Sequence, residues 1–107
     1  MRGDIYRLLR VPKDVRGHEQ RGPRYAVVLQ ADHLSALSTW LVAPTSTSAP
    51  GRSFRPEIDV NGTATRVVVD QMTAVDHQSR LGEFKGRLSL AEMVDVDRAV
   101  RIMLGIA

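Results

Sequence analysis

Apolar and polar positions alternate in short blocks along most of this chain, and only the last stretch carries a helical rhythm. Residues 5–9 (IYRLL) follow Gly3-Asp4 and are rich in strand formers, which predicts a first strand. Residues 10–23 then carry Pro12, Gly17, Gly22 and Pro23 among many ionisable side chains and predict a long polar loop. Residues 25–30 (YAVVLQ) and 40–43 (WLVA) are nearly continuous apolar runs, as expected of strands covered on both faces. Residues 45–53, dense in Thr, Ser, Pro and Gly, read as a second loop. A loosely alternating run at 54–60, the pair Asn61-Gly62 and a β-branched run at 65–69 predict a hairpin with a tight turn, and 71–75 a further short strand. The glycine-punctuated residues 81–86 fit no element clearly.

Ser89 and Glu92 have the spacing of a capping box, so a helix is predicted from there to Gly105. Leu90, Met93, Val94, Val96, Val100, Met103 and Leu104 would form its apolar face, with Asp97 and Arg101 as an exposed i,i+4 pair. Several strands closed by one helix indicate an α+β chain built as a small β-barrel, and 107 residues suit a single domain over 1–107. A core of that size leaves much surface in water, so dimerisation is expected.

Charge refines this picture only modestly. The net charge is +3, but thirteen of the fifteen cations are Arg, whose planar fork suits phosphate oxygens better than an ammonium. Arg-rich codons of a GC-rich genome account for the same excess, so a polyanionic partner gains weak support from it. The absence of Cys removes disulfides, thiolate chemistry and Cys-based zinc sites and makes the cytoplasm the natural compartment. No eighteen apolar residues run together, so no membrane insertion is expected. His33 and His77 have no second ligand at metal spacing, and neither a metal nor a cofactor is expected.

Candidate chemistry gathers in the first loop, where Gly17-His18-Glu19-Gln20-Arg21-Gly22-Pro23-Arg24 places a base, an acid, an amide and two guanidiniums between Gly and Pro hinges. Arg24 stands where loop meets strand; read from the residues alone, a surface salt bridge is as good an account of it as a site. Trp40, beside an apolar run, reads as core.

This loop, the opening Arg2-Gly3-Asp4-Ile5-Tyr6, the strand at 26–30, the segment Val42-Ala43-Pro44-Thr45-Ser46-Thr47, the stretches Asp70-Gln71 and Val75-Asp76, and the closing Gly86-Arg87-Leu88-Ser89 with its helix resemble the MazF/PemK toxins of type II toxin–antitoxin systems. The resemblance covers almost the whole chain in order, and its specific part is the loop. It implies an SH3-like barrel with a C-terminal helix (a CcdB/MazF-like fold) and a homodimer with RNA in a groove between subunits. It also implies metal-independent, sequence-selective cleavage of single-stranded RNA to 2′,3′-cyclic phosphate and 5′-hydroxyl ends, and a MazE-like acidic antitoxin as partner. By resemblance, Arg24 and a hydroxyl of the second loop form the catalytic pair. Ser46 ranks first for that hydroxyl, Thr47 second should the loop carry an insertion, and Thr45 third. His18, Glu19, Gln20, Arg21, Thr45, Gln71 and Arg80 are the implied RNA contacts. His18 or Glu19 is also a candidate general base, because an imidazole titrates near neutrality while a guanidinium stays protonated. Tyr25 departs from the family, which often has Pro there. Two other readings of the same fold remain open: a CcdB-like gyrase poison acting through its C-terminal helix, and a nucleic-acid-binding module without catalysis.

Overall fold

A computed structural model describes residues 1–9 and 24–107. Among the described residues seven strands form one curled antiparallel sheet: β1 (Asp4–Leu8), β2 (Tyr25–Val28), β3 (Thr39–Ser46), β4 (Glu57–Val60), β5 (Thr63–Val67), β6 (Thr73–Asp76) and β7 (Leu81–Arg87). A one-turn helix α1 (His77–Arg80) joins β6 to β7, and a long helix α2 (Leu90–Leu104) closes the chain. The strand order is β4-β5-β3-β2-β1-β7, with β6 also on β3. The fold is therefore a mixed α+β half-barrel with a C-terminal helix, in keeping with the expected architecture.

β3 is the hub that curls the sheet. One edge pairs with β2 (Val42↔Val28, Pro44↔Ala26), whereas the other pairs first with β6 (Trp40↔Val75) and then with β5 (Thr45↔Val67). Pro44 lies where that second edge changes partner. Its carbonyl accepts from the Val68 amide at 2.8 Å, and the N–H it lacks falls in the gap between the two neighbours, the one place in a central strand where no ladder donor is needed. The hydroxyl-rich segment expected to be loop from residue 45 thus begins two residues late: Thr45 and Ser46 are strand residues, and both are buried.

Period-two alternation distributes the apolar residues between two cores. Ile5, Val27, Ala43, Val67 and Val69 face α2, where Val96 and Ala99 are fully buried, while Ala26, Val28, Val42 and Val75 face the other side beneath Tyr6, Leu8, Trp40 and Leu81. This two-sided burial explains why residues 25–28 read as an unbroken apolar run. Trp40 is only half-buried: its indole stacks on His77 at 4.1 Å and donates to the Ser35 carbonyl.

The capping box forms as expected, with the Glu92 amide donating to Ser89 Oγ at 3.1 Å and the Ser89 amide to Glu92 Oε1 at 2.8 Å. Glu92 Oε2 accepts in addition from the Asp59 amide at 2.7 Å, pinning the helix start to β4. Gly105 ends α2 at φ 70°, a left-handed position that suits Gly. Two expectations about this helix need correction. Leu90 is 87% exposed and Val94 and Leu104 are also exposed, because the buried stripe runs through Met93, Val96, Ala99, Val100 and Met103. Asp97 reaches Arg2 at 2.7 Å, tying the helix to the residues just before β1 in preference to Arg101. Residues 81–86, unassigned from sequence, are strand β7, and 3-10 turns at Asp32–Leu34 and Val69–Gln71 were not anticipated. No helix among the described residues is long and apolar enough to cross a membrane.

Candidate active site

Arg24 immediately precedes β2, and its backbone is fixed because its carbonyl accepts from the Leu8 amide at 2.8 Å. Its guanidinium turns toward β3 and donates from Nη2 to the Thr45 carbonyl at 3.5 Å. Arg24 and Ser46 hold the same parity in β2 and β3 as Ala26, Val28 and Val42, so they share the sheet face that carries the smaller core. Together with Ser48, Pro50, Arg55, Val68 and Gln71 they line an open cleft of about 500 Å³, well within the usual range of ligand sites.

The three candidate hydroxyls have different surroundings. Thr45 is buried and its Oγ1 donates to the Tyr25 carbonyl at 3.1 Å, a bond that staples β3 to β2. Thr47 is exposed beyond the end of β3 and is not part of the cleft wall. Ser46, the last residue of β3, presents its hydroxyl at the cleft, where Oγ accepts from the Ser48 amide at 3.2 Å and the Ala49 amide at 3.0 Å and lies 3.4 Å from Ser48 Oγ. Two amides donating to one hydroxyl oxygen polarise its O–H, which improves it as a donor to an anionic oxygen.

The floor and far wall are held by charge. Asp70, on the 3-10 turn after β5, takes Arg55 in a bidentate pair, Nε at 3.0 Å and Nη2 at 2.9 Å. The hydrogen bonds from Arg55 hold the Asp70 carboxyl below its ordinary value and outweigh the opposing effect of burial. Arg55 Nη1 donates to the Pro50 carbonyl at 3.4 Å, and its own carbonyl accepts from Arg66 at 2.9 Å.

Among the expected RNA contacts, Gln71 lines the cleft and is exposed, while Thr45 contributes a backbone carbonyl to Arg24. Arg80 is not brought into the cleft: its Nε donates to the Leu9 carbonyl at 2.8 Å, and the Leu9 amide donates back to the Arg80 carbonyl at 2.7 Å. Arg80 thereby fixes one root of the 10–23 segment and Arg24 the other. His18, Glu19, Gln20 and Arg21 lie outside the described residues. Among the described residues no three His, Asp or Glu side chains gather as metal ligands. Arg55 and Ser48 were not singled out from sequence; the Ser46-x-Ser48 spacing hints at a hydroxyl turn, but nothing local links Arg55 to a carboxylate fifteen residues away.

Comparison with known proteins places this chain in a family. The chain is 42% identical over 106 residues, 99% of its length and 98% of the relative's, to a protein of Mycobacterium tuberculosis (strain ATCC 25618 / H37Rv) named as a toxin. It is 35% identical over 112 residues, 99% of the chain and 97% of the relative, to a protein of Mycolicibacterium smegmatis named as the endoribonuclease MazF. Its fold superposes with a TM-score of 0.78, at 15% identity and over 100% of this chain and 96% of the other, on an endoribonuclease solved in complex with its cognate antitoxin from a mycobacterial species. The family model of the PemK-like, MazF-like toxins of type II toxin–antitoxin systems matches residues 1–104, and the chain belongs to that family.

Proposed function

We propose that this chain is a metal-independent endoribonuclease toxin that cuts single-stranded RNA, with Arg24 and Ser46 as its catalytic pair. The observation that carries the reading is that a strand-anchored guanidinium and a doubly amide-bonded hydroxyl meet at one open cleft. In the reaction the 2′-oxygen bonds to phosphorus as its proton passes to a base, the bond from phosphorus to the 5′-oxygen breaks, and the departing 5′-oxygen takes up a proton. The products are a 2′,3′-cyclic phosphate and a 5′-hydroxyl. Negative charge builds on the non-bridging oxygens of the five-coordinate transition state, where Arg24 donates through its fork and Ser46 through its O–H. Arg24 serves as charge stabiliser, since guanidinium does not give up its proton near neutrality. His18 or Glu19 is assigned as the base, and Gln71 as a contact to a neighbouring nucleotide.

A homodimer supports this chemistry, because RNA needs a longer track than one cleft. The aromatic patch of Tyr6, Trp40 and exposed Phe84, with Leu8 and Leu81, lies on the same sheet face as Arg24 and Ser46 and offers an apolar surface to a second copy. We further assign the antitoxin as a MazE-like protein whose acidic segment would occupy the cleft beside Arg24. The test is incubation with mixed-sequence single-stranded RNA in EDTA, followed by end-mapping. Cleavage leaving cyclic phosphates, lost in Arg24→Ala, supports the reading; intact RNA, or cleavage undiminished in Arg24→Ala, refutes it. Inhibition of gyrase that survives Arg24→Ala would instead mark a CcdB-like poison.

A further inference from the structure

The Arg55–Asp70 pair stands at the cleft wall, but its geometry does not suit a phosphate ligand. Arg55 directs Nε and Nη2 to the two oxygens of Asp70 and Nη1 to the Pro50 carbonyl, so its fork faces protein and its charge is matched by a carboxylate. Asp70 in turn stands on a rigid base: the 3-10 turn that carries it is closed by Gln71 and Met72 amides donating to the Val68 and Val69 carbonyls, and Val69 is fully buried beneath α2. What the pair grips is the turn after β3. That turn is fastened at its near end by the Ser48 and Ala49 amides on Ser46 Oγ and at its far end by Pro50 on Arg55.

Resting on the RNA-cleavage reading above, we infer that Arg55, held by Asp70, is a positioning residue that fixes the turn at residues 46–50, so that the Ser46 hydroxyl meets the scissile phosphate beside Arg24. Without the grip on Pro50 the turn can swing, the two amides leave Ser46 Oγ, and the hydroxyl loses both its orientation and its polarisation. Errors of about 1 Å in such a donor cost up to about a hundredfold in rate. This loss falls on turnover, because RNA binding depends on charges that the pair does not supply.

The two roles open to Arg55 predict opposite effects for the carboxylate. Asp70→Asn would release the charge of a phosphate-binding Arg55 and tighten RNA, whereas it would slacken a positioning Arg55 and slow cleavage. The experiment compares the full chain with Arg55→Met, Arg55→Lys, Asp70→Asn and the double variant Arg55→Met/Asp70→Asn. It reads kcat and KM on a single-stranded RNA cut by the parent, and hydrogen exchange at the Ser48 and Ala49 amides in each folded protein. Expected are kcat losses of about 10- to 100-fold in every single variant with KM moving less than about threefold, a double variant no worse than either single, and faster exchange at both amides. Lys retains the charge but cannot fork onto Asp70, so it should behave as Met does. The inference is overturned if Arg55→Met raises KM and spares kcat, if Arg55→Lys is fully active, if Asp70→Asn tightens RNA, or if the exchange of the two amides is unchanged. Should the parent cut no RNA, the assignment as a ribonuclease fails by itself, and the amide exchange still decides whether the pair holds the turn.

Discussion

Which hydroxyl serves the cleft can be decided by substituting the two buried neighbours Thr45 and Ser46 in parallel. Thr45→Val is nearly isosteric and removes the 3.1 Å donation to the Tyr25 carbonyl. That carbonyl is a strand acceptor with a second lone pair, so the loss costs about 1 kcal/mol of stability. Ser46→Ala removes the acceptor of the Ser48 and Ala49 amides. Both amides belong to a turn that water can reach, so this loss also amounts to about 1 kcal/mol. A domain of this size is stable by roughly 5 kcal/mol or more, so both variants remain folded and unfolding cannot account for a rate difference between them. Their catalytic effects should diverge. Losing one donor to a developing oxyanion costs about 3 kcal/mol, or roughly a hundredfold in rate, so Ser46→Ala should fall by that factor under single-turnover conditions. Thr45→Val should stay within about threefold of the parent, since its hydroxyl is turned to Tyr25, away from the face that carries Arg24. A dye-labelled RNA oligonucleotide carrying one deoxyribose at the cut position gives the blank for both. The reasoning fails if Thr45→Val loses as much activity as Ser46→Ala, or if Ser46→Ala cuts at the parental rate.

Two further outcomes follow from the frame that carries the site. Burial pushes the Asp4 carboxyl up, but hydrogen bonds from the chain's amino group and from Arg87, the latter at 2.7 Å, outweigh it and hold the carboxyl below its ordinary 3.8. Its stabilising contribution is then complete above that value and lost as pH falls through the lower folded value; Arg87→Met, by letting the folded value rise, should move the acid-unfolding midpoint followed by circular dichroism to higher pH, and an unmoved midpoint would contradict the pairing. Glu92→Ala removes both the second half of the capping box and the link to the Asp59 amide, so urea unfolding should show a loss of about 1–2 kcal/mol; Glu92→Gln, whose single carbonyl oxygen can replace only one of the two accepting oxygens, should recover about half of it, and full recovery in Gln would refute the double role.

What the sequence could and could not disclose follows from the range of the interactions involved. The helix start and stop, the Asn61-Gly62 turn and the two-sided burial of residues 25–28 depend on neighbours within a few positions, and each was legible as a local pattern. The end of β3 was misplaced because Thr45 and Ser46 have loop composition, yet a ladder to Val67 and Arg66, twenty or more residues away, keeps them in the strand. The same non-local pairing explains the three ranked hydroxyls. Side chains alternate between the faces of a strand, so extending β3 to Ser46 turns Thr45 and Ser46 to opposite sides, and only the even-numbered residue reaches the face that carries Arg24. Parity along β3 thus puts Ser46, ranked first by the family likeness of Pro44-Thr45-Ser46, on the Arg24 face and Thr45 on the other. The Arg55–Asp70 pair lies beyond local reading for a related reason: its members flank the β4–β5 hairpin and come together only when that hairpin folds onto β3. The cleft wall is therefore built where the edge of β3 passes from β6 to β5, a passage at which Pro44 needs no ladder donor and its carbonyl holds Val68, a cleft residue.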